Sequence, residues 1–267
     1  MRDLFDDAAE RRLEAEAPLA ARMRPRTLDE FVGQHEAVGP GTVLRTAIEL
    51  DAVSSLILYG PAGTGKTSLA RIIAGMTEAH VTELSAVSAG VKDVRAVIEE
   101  ARDRLKLENR RTVLFIDEIH RFNKSQQDAL LHAVEDRLIV LIGATTENPF
   151  FEVNAPLISR SRVVEFVPLS DDDVRAIIER ATNDTERGLG GSASIESAAI
   201  DRLVTFAGGD ARIALTLLEL AFQVAPRGPD GTPAGASPHD LRAIDSIALR
   251  STPATVPPSQ RMSVPVR

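Results

Sequence analysis

Gly60-Pro61-Ala62-Gly63-Thr64-Gly65-Lys66-Thr67 is the stretch of this chain whose residue types and spacing meet a chemical requirement most fully. It satisfies the pattern G-x-x-x-x-G-K-[ST] at every specified position. Glycines let a backbone turn tightly and approach a polyanion with no Cβ in the way. The N–H groups of such a loop, continued by those of Thr67 and Ser68 at a following helix N-terminus, form an anion site suited to phosphate. Lys66 would reach the β- and γ-phosphates of a nucleotide such as ATP, and the Thr67 hydroxyl would bind Mg²⁺.

Two further runs carry chemistry at their ends. Thr112-Val113-Leu114-Phe115-Ile116 is apolar and closes on Asp117-Glu118. Beside a phosphate loop, an Asp at a strand end holds Mg²⁺, generally through water. Glu118, the next residue, is placed to polarise a water against the γ-phosphate. Leu138-Ile139-Val140-Leu141-Ile142-Gly143-Ala144-Thr145-Thr146 ends in hydroxyls where the other run ends in carboxylates. Strands of a parallel sheet open their C-terminal ends onto one crevice, so Thr146 is a candidate contact for the γ-phosphate or its attacking water. Arg160 and Arg162 precede a last strand-like run, Val163 to Pro168, and read either as surface charge or as cations supplied to a neighbour's nucleotide. Arg121 and Lys124 read equally as a solvated helix start or as contacts for DNA or another subunit.

The elements that must position these groups follow from periodicity. Leu56-Ile57-Leu58-Tyr59 is a short strand before the loop, and Ser68 to Ala74 is helical after it. His80 to Ser85 alternates like a strand, and Val91, Val94, Ile98, Ala101 and Leu105 recur at helical spacing. A helix from about Ser125 to Asp136 turns Ala129, Leu130, Ala133 and Val134 inward. The uninterrupted apolar runs suit strands buried on both faces of a parallel sheet. Upstream, Thr27 to Phe31 fits one helical turn capped by Thr27. His35 to Leu50 reads as a helix broken at Gly39-Pro40-Gly41, with Leu44, Ile48 and Leu50 facing inward. The stretch through Val32 can wall the adenine end of a nucleotide site. Beyond Pro168 the composition changes: Ser170 caps an acid-rich helix start, Asp171-Asp172-Asp173, and two more helices span Ile195 to Phe206 and Asp210 to Val224.

The expected fold is therefore α/β: a phosphate-loop parallel sheet flanked by helices, then a small all-helical lid. Residues 1–17 are expected to form a mobile arm, 18–169 the nucleotide-binding domain, 170–250 the lid, with a short helix possible at Pro238–Leu249, and 251–267 a disordered tail. Asp3-Leu4-Phe5 in the arm reads either as a short partner motif or as a tail folded back on the body.

Composition narrows the classes. The chain has 267 residues, 43% hydrophobic and 26% charged, as in ordinary soluble globular proteins. A net charge of −8 argues against a non-specific nucleic-acid coat, so any DNA contact would be a local basic patch. The absence of cysteine excludes disulfides and thiolate metal sites, and the five histidines form no metal-spaced pair. Met1 to Asp7 lacks an apolar signal core and no run reaches membrane length, so a cytoplasmic protein without membrane contact is expected.

Pro18-Leu-Ala-Ala-Arg-Met-Arg-Pro25, the phosphate loop, Phe115-Ile-Asp-Glu-Ile-His-Arg-Phe-Asn-Lys124 and Ile142-Gly-Ala-Thr-Thr-Glu-Asn-Pro149 together resemble the replication-associated recombination protein A family, AAA+ ATPases of the clamp-loader clade. The resemblance covers roughly residues 18–225. It implies a DNA-stimulated ATPase using ATP and Mg²⁺ in replication-fork maintenance, recombination and repair, and association with the nucleoid. Thr146 then resembles sensor 1, Arg160 an arginine finger inserted into the next subunit's site, and Arg212 a lid arginine reaching its own subunit's γ-phosphate. Implied partners are single-stranded or forked DNA, a single-strand-binding protein or polymerase sliding clamp, and further copies of the chain. Family members continue past the lid into a long helical region that carries tetramerisation. Here the sequence turns proline-rich after about residue 226, and the expectation is a truncated, largely monomeric chain. The alternative is a nucleotide-switched adaptor with little turnover.

Overall fold

The computed structural model describes residues 16–190 and 195–224. The Asp3-Leu4-Phe5 motif, the expected helix at Pro238–Leu249 and the C-terminal tail lie outside these residues.

Five strands form one sheet: β1 (Leu56–Tyr59), β2 (His80–Ser85), β3 (Thr112–Asp117), β4 (Ile139–Thr145) and β5 (Arg162–Glu165). All pair in parallel in the order β2-β3-β4-β1-β5. In the register, Leu58 lies opposite Ala144 and Val164, and Phe115 opposite Ile142. Side chains alternate across a strand, and the central strands use both faces. Ile57, Leu114, Ile116 and Leu141 enter one core, beneath α5 (Val91–Glu108) and α6 (Lys124–Glu135). Leu56, Leu58, Val113, Phe115, Ile142 and Ala144 enter the other, beneath α3 (Val43–Glu49) and α4 (Lys66–Met76). Burial on both faces is why β1, β3 and β4 read as unbroken apolar runs, whereas the edge strand β2 alternates.

The segment before β1 carries α1 (Leu19–Arg22) and α2 (His35–Val38). Residues Thr27 to Phe31 form a single hydrogen-bonded turn that does not extend into a longer helix, with Thr27 as its cap as expected; the Glu30 N–H donates to Thr27 Oγ1 at 3.3 Å. Leu44 and Ile48 are buried as expected, but Leu50 is 72% exposed. It is the C-cap of α3, two residues past Ile48, and positions two apart lie on opposite sides of a helix.

Between β4 and β5 lie two short helices, α7 (Pro149–Glu152) and α8 (Ala155–Ser159). Gln127 of α6 pins them from beneath, donating to the Glu152 carbonyl at 3.1 Å and accepting the Asn154 N–H at 2.7 Å.

The lid is α9 (Asp171–Asn183), α10 (Ser197–Ala207) and α11 (Ala211–Val224) around a third core. Ser170 caps α9 as expected, its Oγ accepting the Asp173 N–H at 3.1 Å, and the acidic first turn complements the helix dipole. Leu19 and Met23 are buried in this third core, and the Leu19 N–H donates to Glu219 Oε1 at 3.0 Å. α1 thus packs on the lid through residues up to 200 positions further along the chain.

Candidate active site

The strand order sets the site. β4 lies between β1, which feeds the phosphate loop, and β3, which ends in Asp117. The C-terminal end of β4 is therefore flanked by the loop on one side and the carboxylates on the other, the crevice that open α/β sheets use for ligands. The Gly60 N–H donates to the Thr145 carbonyl at 3.2 Å and ties the loop to that strand end.

The loop is shaped by Gly60, Gly63 and Gly65, at φ 144, 66 and 102. A Cβ on Gly60 would lie 2.1 Å from the Phe166 carbonyl oxygen, and one on Gly65 would lie 2.9 Å from the Phe31 ring. Gly63 meets the lid: its carbonyl accepts the Ala211 N–H at 3.2 Å, and Asp210 packs against its Cα. α4 starts at Lys66, so the N–H groups of Lys66, Thr67 and Ser68 lie in its unpaired first turn.

Lys66 is buried and curled over its own loop, donating to the carbonyls of Gly60 (2.8 Å) and Pro61 (2.7 Å). Burial pulls its ammonium below the ordinary lysine range, although Glu118 and Asp117 act in the opposite sense. A buried cation held only by carbonyl dipoles is better stabilised by an anion, as charge-assisted bonds are the stronger ones. The loop glycines and Lys66 thus fit a nucleotide's phosphates.

The cleft between loop and lid encloses about 450 Å³ and is lined by Ala62 to Ser68, Asp117, Glu118, Thr146 and Arg212. Gly60 and Pro61 lie behind this surface and act through their carbonyls. Val32, with Phe31, Ile177 and Leu215, adds apolar surface to the lining of the cleft. Among the described residues no cluster of three carboxylate or imidazole groups could cage a metal. Thr67 and Asp117, which both line the cleft, instead match the sparse protein ligation of Mg²⁺, which takes its other oxygens from phosphate and water.

Arg160 is elsewhere. It is 40% exposed at the C-cap of α8, forms an ion pair with Glu135 at the end of α6, and donates to the Pro156 carbonyl at 2.9 Å. It does not line the cleft of its own chain.

Several residues at the site were not singled out from sequence. Arg24 and Arg180 line the cleft. Burial lowers the pKa of Arg24, and the nearby Arg71 and Arg212 lower it further, marking a place where positive charge collects. Arg180 of α9 donates to the Glu30 carbonyl at 2.6 Å. Gln34 is buried beneath the loop: its amide donates to the Val167 carbonyl at 2.7 Å and the Thr64 carbonyl at 3.4 Å, and accepts the Val167 N–H at 3.1 Å. It joins the phosphate loop to the strand that leads into the lid. The signal for Arg24 was present in Arg22-Met23-Arg24-Pro25; nothing local marks Gln34 or Arg180.

Residues 56–170 match the family of ATPases associated with various cellular activities (AAA). Residues 56–170 thus form an AAA-type ATPase domain. Over 211 residues it is 55% identical to an uncharacterized AAA domain-containing protein of Mycobacterium tuberculosis, covering 79% of this chain and 46% of that protein. Over 209 residues it is 47% identical to replication-associated recombination protein A of Escherichia coli, covering 78% and 46%. The AAA+ domain thus falls with the family that its motifs resemble. A Thermotoga maritima RuvB mutant shares the fold with a TM-score of 0.67 and 28% identity, covering 84% of this chain and 73% of that one. The chain spans about half the length of the curated relatives it matches. Among the described residues no helix is long and apolar enough to cross a membrane.

Proposed function

We propose that this AAA+ domain binds and hydrolyses ATP, is stimulated by single-stranded or forked DNA, and acts in replication-fork maintenance and recombination. The observation that carries the reading is the convergence of Lys66, Asp117, Glu118, Thr146 and Arg212 on one cleft with the phosphate loop. The loop N–H groups and Lys66 hold the phosphates, and the base lies toward Val32. Thr67 and, through water, Asp117 would hold Mg²⁺, which when bound neutralises charge on the β- and γ-phosphates. Glu118 accepts a proton from the attacking water as it adds to the γ-phosphorus, in line with the departing β-phosphate oxygen. Thr146 orients that water, and Arg212 carries lid closure to the γ-phosphate.

Arg160 belongs to a neighbour's reaction in this reading. An arginine supplied in trans raises phosphoryl-transfer rates by about 10³–10⁵ in other phosphate-loop enzymes. Its pairing with Glu135 is a modest obstacle, since exposed ion pairs contribute about 0–1 kcal/mol. The same pairing favours a second reading, a nucleotide-switched adaptor for a sliding clamp or single-strand-binding protein, in which a lone chain binds ATP and turns over little. ATP turnover measured across protein concentration, with and without single-stranded and forked DNA, separates the two. A rate per chain that rises with concentration and DNA supports the ATPase; a rate at background under every condition leaves the adaptor.

A further inference from the structure

His120 lies between the two strand ends that the proposed reaction uses. Glu118 leaves β3 in the left-handed region (φ 54, ψ 47), a strained conformation for a non-glycine residue that gathers at functional sites. A single 3₁₀ turn, Ile119–Arg121, follows and sets the His120 ring at the C-terminal ends of β3 and β4. Its Nδ1 lies 2.9 Å from Thr145 Oγ1, at the end of β4, and 3.2 Å from Glu118 Oε2. Thr145 Oγ1 also accepts the Glu147 N–H at 3.0 Å, which fixes the hydroxyl in place.

The carboxylate is divided. The Glu118 side chain is 35% exposed and lines the cleft, yet its Oε2 is buried and has no hydrogen-bond partner. Such an atom carries a desolvation cost unless a donor reaches it. His120 Nδ1 is the polar atom beside it. Were the ring proton on Nε2 alone, the Nδ1 lone pair would face the carboxylate lone pairs across 3.2 Å, an unfavourable contact. The arrangement therefore selects the Nδ1–H tautomer. That one proton is directed toward Thr145 Oγ1, with Glu118 Oε2 a few tenths of an ångström further off as the competing acceptor.

We propose that His120 is a positioning residue for Glu118, with its Nδ1–H passing from Thr145 Oγ1 to Glu118 Oε2 when nucleotide draws on the end of β4. Thr145 directly precedes Thr146, so a ligand that engages Thr146 acts on the residue that now holds the His120 proton. Once Oε2 is bonded, the other carboxylate oxygen is fixed toward the attacking water. The ring does not touch the reacting atoms, and no proton leaves it. The inference rests on the reading of Glu118 as the base.

The test separates the two. His120→Ala should keep ATP affinity within about twofold and lower kcat by roughly 10- to 100-fold, the worth of one hydrogen bond to a charged group. His120→Asn, whose amide N–H₂ falls near the Nδ1 position, should recover much of that loss. In a Glu118→Gln chain, His120→Ala should change turnover no further. Nitrogen-15 NMR of histidine-labelled parent protein should show Nδ1 protonated, and its resonance should move when a non-hydrolysable ATP analogue binds. Parental kcat in His120→Ala, or an Nε2–H tautomer in the parent, overturns the role of His120 while leaving Glu118 in place. Parental turnover in Glu118→Gln removes the base itself and the inference with it.

Discussion

Replacing Gly63 with alanine tests how the lid is seated on the phosphate loop. Gly63 stands at φ +66, where an L side chain costs about 1–2 kcal/mol. An added Cβ would lie 1.8 Å from Asp210 Oδ1 and 2.1 Å from its Cγ, so the Asp210 side chain must leave. Asp210 caps α11, accepting the N–H groups of Arg212 at 2.8 Å and Ile213 at 3.0 Å. A cap of this kind is worth about 1 kcal/mol. The bond from the Ala211 N–H to the Gly63 carbonyl, about 1 kcal/mol, is lost with it. Gly63→Ala should therefore destabilise the ligand-free protein by about 3–4 kcal/mol. In an Asp210→Ala chain the clashing atoms are gone, and the same substitution should cost only the backbone part, about 1–2 kcal/mol. Urea unfolding of the four proteins, followed by circular dichroism, gives the coupling energy. Equal cost in both backgrounds would show that Asp210 does not hold the lid at Gly63, and the seating argument would fail.

Three further outcomes follow from the same geometry. Glu30 accepts two bonds from Arg187, at 3.0 and 3.2 Å, and these hold its carboxyl below the usual glutamate range. Its contribution to stability is thus complete above the ordinary value of 4.5 and is lost as pH falls through the lower folded value; Glu30→Gln should flatten that acid limb in pH-dependent unfolding. Gln34→Ala removes two bonds to the Val167 backbone, each worth about 0.5–1.5 kcal/mol, and should cost about 1–3 kcal/mol, read as a lower thermal midpoint, while Gln34→Glu restores only the acceptor. Arg160→Ala and Lys66→Ala chains, each inactive alone, should recover part of the ATPase rate when mixed. Mixtures that stay inactive while still associating would remove Arg160 from the neighbour's site.

The parts of this site legible in the sequence are those fixed by local constraints. The phosphate loop needs its glycines for backbone reasons, and Asp117-Glu118 stand at the end of a run that only a doubly buried strand explains. Thr146 was legible through topology, because parallel strands present their C-terminal ends together. Gln34 and Val167 meet across 133 residues, and Leu19 and Glu219 across 200; no periodicity encodes such partners. Leu50 shows the converse. Its hydrophobicity suggested burial, but the end of α3 at Glu49 sets it on the solvent side. His120 stood in the sequence only as part of the Phe115–Lys124 motif, because its proposed role depends on a left-handed Glu118, which a sequence does not display.

The most direct measurement concerns Glu118. An amide is nearly the same size as a carboxylate but cannot accept the water's proton. Glu118→Gln protein, mixed with radiolabelled ATP and Mg²⁺ and separated from free nucleotide, should retain label at parental affinity. That label should remain ATP over many parental turnover times, a loss of at least about 10² in rate. Bound label found as ADP at the parental rate would contradict Glu118 as the base, and with it the reading of this cleft as the place where ATP is hydrolysed.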